Sequence, residues 1–203
     1  AVESVSSRWS PWWLVSGALF TASALLAAFR SLPGSLDADA LVGMSTAATV
    51  TFSLALAAAG IGAASRDGAL RLPRASTVAL FLLAVWLPVG PPLLNASFGF
   101  ASAAPLYLNA LVELALSGTI VAGFLHSPLA KPWRYIPAIA LAAVVLGSLM
   151  EVAVLSGSVS DQNTMILASN GVTLVRIIAT GALGAVAFRA ARSRSGAVIV
   201  FGG

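Results

Sequence analysis

The chain has 203 residues, 59% hydrophobic and 9% charged, with a mean hydropathy of +0.95 and no cysteine. A soluble domain carries about 25% charged residues, so this chain lacks the polar groups to cover a water-facing surface; a disordered chain, a disulfide-stapled domain and a thiolate metal site are excluded with it. The formal net charge of +4 sits in short basic clusters between apolar runs, with no stacking aromatics beside them, which excludes a nucleic-acid partner.

A helix needs about 20 apolar residues to cross a bilayer, so the chain accommodates six spans joined by short loops. The first covers about 11–29. Trp9, Trp12 and Trp13 mark a membrane boundary and Pro11 suits a first helical turn. A cleaved signal peptide is the alternative, but Arg30 follows without a small-residue cleavage site, and an uncleaved span is expected. The outer loop 31–39 holds Pro33, Gly34 and two aspartates, the composition of an interfacial turn. The second span, about 41–65, is nearly all Ala, Gly, Ser, Thr and Leu.

The third, about 75–94, carries Pro88, Gly90, Pro91 and Pro92. Paired prolines oppose a straight helix, so the simpler reading ends this span near Val89 and places the rest in an outer loop. A discontinuous helix lining a solute path is the other reading. The fourth span, about 105–125, leads into a tight inner loop with Pro128, Pro132 and Trp133. The fifth covers about 135–155 and the sixth about 164–188, and the tail beyond Arg194 is too short to span. Ser53 to Arg74, displaced by sixty places, aligns Leu-Ala-Leu with Leu-Ala-Leu and Arg71 and Arg74 with Lys131 and Arg134, a pattern that would suit a duplicated hairpin.

With the N-terminus inside, nine basic residues gather on the inner side (Arg8, Arg66, Arg71, Arg74, Lys131, Arg134, Arg189, Arg192 and Arg194) and only Arg30 on the outer side, beside Asp37, Asp39 and Asp161. This bias places both termini in the cytoplasm, and an even number of spans, which puts them on one side, fits that. The expected fold is therefore all-α: one polytopic domain over 1–203, a bundle of six transmembrane helices in a plasma or inner membrane.

Three ionisable residues fall within spans: Glu113, Glu151 and Arg176. Each costs about 2.5–3.5 kcal/mol at a span centre on insertion scales. At 1.5 Å per residue, Glu113 lies about 12 Å and Glu151 about 6 Å from the outer boundary, and Arg176 about 18 Å deep. An arginine's planar fork can bridge two carboxylates, so one shared polar site is expected. Asn109 precedes Glu113 by one turn, Ser117 follows it, and Ser169, Thr173, Arg176 and Thr180 form a stripe with Asn170 beside it. Ser45, Thr49 and Ser53 form another. Two readings compete: a polar cavity that binds a solute or relays ions, and an internal salt bridge that sets helix register.

The expected function is a small transporter, channel or solute-binding membrane protein. Glu113, Glu151, Arg176, Asn109, Asn170 and Thr173 form its site; a cation or proton would meet the carboxylates and an anion the arginine. The alternative is a non-catalytic subunit of a larger membrane complex, and the third is a membrane-embedded lipid-modifying enzyme. Small residues at helical spacing, among them Gly17, Thr21, Ala24 and Ala28, and Thr119 and Gly123, allow close packing within the bundle, in a homo-oligomer or against a membrane partner.

One histidine, His126, falls at an inner helix end, and the one lysine, Lys131, in a loop. Bis-histidine haem ligation, a catalytic triad and a buried Schiff-base lysine are thus unsupported. No cofactor, metal ligand or catalytic residue is expected, and no nucleotide-binding or zinc-protease motif occurs. Asn95-Ala-Ser97 matches a glycosylation acceptor but lies against the membrane.

Overall fold

The computed structural model describes residues 10–31, 37–65, 70–98, 104–155 and 162–192; the side chains at 38, 148, 151–155 and 162–169 are outside it. Arg8, Trp9, Pro33, Gly34, Arg66, Asp161, Arg194 and the tail therefore fall outside the described residues, as does the side chain of Glu151.

Among the described residues six helices follow one another: α1 (Pro11–Arg30), α2 (Ala38–Ala64), α3 (Arg74–Phe98), α4 (Ala104–Leu125), α5 (Lys131–Leu155) and α6 (Gln162–Arg192). Of these, five are long and apolar enough over their described residues to cross a membrane: Pro11–Arg30, Asp39–Ala64, Arg74–Phe98, Ala104–Leu125 and Asn170–Arg192. Local chemistry sets several ends. Pro11 opens α1, where a missing N–H costs nothing. Asp37 caps α2, its carboxylate accepting a 2.8 Å bond from the amide of Ala40. His126 closes α4, with Nδ1 2.7 Å from the carbonyl of Ala122.

α3 departs from the simpler sequence reading. It does not end near Val89 but continues as helix through Pro88, Pro91 and Pro92 to Phe98. Each proline removes only its own bond to the carbonyl four residues back, while the remaining amides still close the helix. The residue before a proline normally avoids helical dihedrals because its Cβ meets the pyrrolidine ring. For Pro91 that residue is Gly90, which has no Cβ; Leu87 and Pro91 precede the other two prolines and adopt helix despite theirs.

The helices pack in chain order as a ring, and α6 returns to α1. Neighbours run antiparallel. Ser16 and Ser23 on α1 donate 2.8 Å bonds to the carbonyls of Ala55 and Ala48 on α2, so advancing seven residues along α1 retreats seven along α2. On α3 and α4, Ser76 donates to the carbonyl of Thr119 at 2.7 Å and Trp86 to the side chain of Asn109 at 2.8 Å, again with opposite travel. The α1–α6 seam is close, since a Cβ on Gly184 would stand 3.3 Å from the carbonyl oxygen of Gly17.

The core lies at one end of the ring. Trp13 on α1 meets Phe124 on α4 edge-on across it, with ring centroids 6.4 Å apart. Leu56, Leu80, Ile120, Leu141, Leu183 and Val186 are buried around them. Arg71, Arg74, Lys131, Arg134, Arg189 and Arg192 belong to this basic end. Towards the opposite end, where Arg30, Asp37 and Asp39 lie, burial fails along α2 and α6, while Gly90, Pro105, Ala110 and Glu113 stay buried between α3 and α4. None of the described side chains over 39–52 of α2 or 170–178 of α6 is buried.

Candidate functional site

Where burial fails, the end of α1, the start of α2 and the first half of α6 line an open cavity of about 650 Å3. Its walls are Arg30 and Ser31, Leu41, and the α6 stripe Asn170, Thr173, Leu174 and Ile177. The spacing on α6 is three, one and three residues, so these four share one face. Arg30 is held in place by a 3.0 Å bond from its guanidinium to the hydroxyl of Ser45. Two expected site residues, Asn170 and Thr173, thus meet in one concavity, beside an arginine that topology alone had set apart.

Asn109 and Glu113 meet on α4. The Asn109 amide donates 2.9 Å to Oε1 of Glu113, and the indole N–H of Trp86 on α3 donates 2.8 Å to Oδ1 of Asn109. The result is a polarised chain from indole to amide to carboxylate, with Glu113 only 6% exposed. Trp86 reaches Asn109 by folding back over Gly90, where a Cβ would stand 2.5 Å from the indole.

Arg176 faces the neighbouring seam. A Cβ on Gly147 of α5 would lie 2.8 Å from Nε of Arg176, so the guanidine arm crosses α5 at a residue with no side chain. Gly147 precedes Glu151 by one helical turn. Glu113 accordingly sits in the α3–α4 seam and Arg176 in the α5–α6 seam.

The hydroxyl stripes have a local role. Thr49 donates to Ser45, Ser53 to Thr49 and Thr180 to Arg176, each to the backbone carbonyl four residues back. Gly17 and Thr21 lie against Gly184 of α6, and Gly123 against Ser76 of α3. These stripes pack helices together. Asn95 lies in the last turn of α3.

Sequence reasoning missed Trp86 and Arg30. Trp86 carried one signal, the glycine four residues later that clears space for its ring. No group of three or more His, Cys, Asp or Glu side chains is placed to hold a metal among the described residues. No protein-family model, no curated protein and no solved structure matches the chain.

Proposed function

We propose that this is a six-span membrane protein that binds and moves a small solute, entering through the cavity at the Arg30–Asp39 end. The observation that carries the reading is the loss of packing there: polar side chains line a 650 Å3 space in an otherwise apolar chain. Exposed Asn and Arg in a lipid-solvated bundle are costly unless they face water or a ligand. Glu113, Asn109 and Trp86 give a proton or cation an acceptor deeper in the bundle, while Arg30 and Arg176 supply cationic partners for an anion. In this reading α5, uncharged over 135–150, crosses as the sixth span, with both termini cytoplasmic.

Reconstitution into vesicles loaded with a pH-sensitive dye tests this. Panels of small carboxylates and small amines are added outside, and internal pH is followed. At least one class is expected to drive protein-dependent pH change, lost in Glu113→Gln and in Arg176→Ala with helix content retained. Absence of flux from the native protein, with both variants failing to fold, would assign the buried charges to architecture and overturn the reading.

A further inference from the structure

The helix faces that border the Arg30 cavity continue towards the basic end. On α1, Ser31, Ala24 and Gly17 step by seven, and Trp13 lies one turn further along the same face. On α2 the line from Leu41 through Ala48 and Ala55 to Gly62 also steps by seven. Its far end reaches Trp13, since a Cβ on Gly62 would stand 3.0 Å from the indole Nε1. The open cavity and Trp13 thus lie towards opposite ends of shared helix faces.

Trp13 meets Phe124 at that inner end. The two rings come from α1 and α4, which stand three places apart in a ring of six helices. Trp13 is 1% and Phe124 5% exposed, and their edge-on contact closes the middle of the bundle.

One polar group inside this plug is unmet. The hydroxyls of Ser16, Ser23, Ser76 and Ser127, buried in the bundle, each donate to a backbone carbonyl. The indole N–H of Trp13 has no acceptor among the described residues. A ring without a donor would pack here without that loss, so packing alone does not account for an indole. An indole that leaves the plug for a hydrated passage recovers a hydrogen bond. The unmet donor therefore lowers the cost of opening relative to staying shut.

We propose that Trp13 and Phe124 form the gate of the solute path at the basic end, closed in this structure while the Arg30 cavity stands open. The inference rests on the solute-moving reading given above.

Vesicles containing the full chain test it. Passive glycerol entry, followed by light scattering, requires no knowledge of the solute. It is expected to be several-fold faster in Trp13→Ala/Phe124→Ala than in the native protein. Leu80→Ala/Leu141→Ala, which empties buried volume on α3 and α5, should keep the native rate. Trp13→Phe keeps a ring and removes the donor, so it should stay tight to glycerol yet carry the pH-coupled flux several-fold more slowly. A double alanine variant no leakier than native, an equal leak in the leucine variant, or a Trp13→Phe flux at or above native would overturn the gate. Where the double alanine variant does not fold, Trp13→Cys/Phe124→Cys bridged by a reducible bifunctional thiol reagent decides. Bridging should arrest flux and reduction restore it, and flux indifferent to the bridge overturns the proposal. Any of these failures alongside native flux overturns the gate alone; native protein that moves no solute overturns the solute-moving reading and the gate with it.

Discussion

Glu113 remains in an apolar bundle because Asn109 donates to it, and Asn109 is oriented because Trp86 donates in turn. A buried polar group that loses its partner costs about 1–3 kcal/mol. Gly90→Ala displaces the Trp86 ring and is expected to lower stability by that amount, measured by thermal unfolding in detergent. Asn109→Ala breaks the same chain, so the two substitutions together should cost little more than either one; strict additivity would show that they act separately. The Asn109–Glu113 step was legible in the sequence, because four residues are one helical turn. Trp86 was not, because its partner is chosen by the register of α3 on α4. Nor was the cavity position of Arg30, which a tally of loop charges treats as topology only.

Glycines on one helix differ in what they permit. A Cβ on Gly123 would stand 2.6 Å from the Cβ of Ser76, and Ser76 is tied to the carbonyl of Thr119 on α4. Gly123→Ala therefore wedges α3 from α4 and should cost about 1–3 kcal/mol. At Gly118 no atom lies within 4 Å of that position. Gly118→Ala should hold stability or raise it by up to about 1 kcal/mol, since alanine favours helix. Equal melting points for the two variants would refute the wedge. Helix number and approximate limits were readable from hydropathy, because apolar length is what lipid demands. The end of α3 was misread: the helix runs on through Pro88, Pro91 and Pro92, and Gly90 relieves the pre-proline clash only at Pro91, while each proline costs a single backbone bond that the neighbouring amides do not share.

Over the whole molecule, burial concentrates at the basic end and fails along α2 and α6 at the other, a difference the sequence does not show, because Ala, Leu and Ser populate both ends alike. Charge asymmetry was legible and predicts orientation. The chain has no cysteine, so single introduced thiols report cleanly. Arg71→Cys and Lys131→Cys should react with a membrane-impermeant maleimide only from the cytoplasmic face, and Asp39→Cys only from outside. Labelling of Lys131→Cys from outside would break the six-span topology.

The return of α6 onto α1 brings distant parts of the chain together: the amide of Ser10 lies 3.3 Å from the carbonyl of Ala191. Residues 10 and 192 can thus be joined by a short linker, and the chain reopened between 65 and 70, without changing any helix's neighbours. Both new ends of such a circular permutant stay on the same side as before, so it should insert and melt like its parent. The connectivity of the bundle is then one of several routes around a circle that the side chains themselves hold shut.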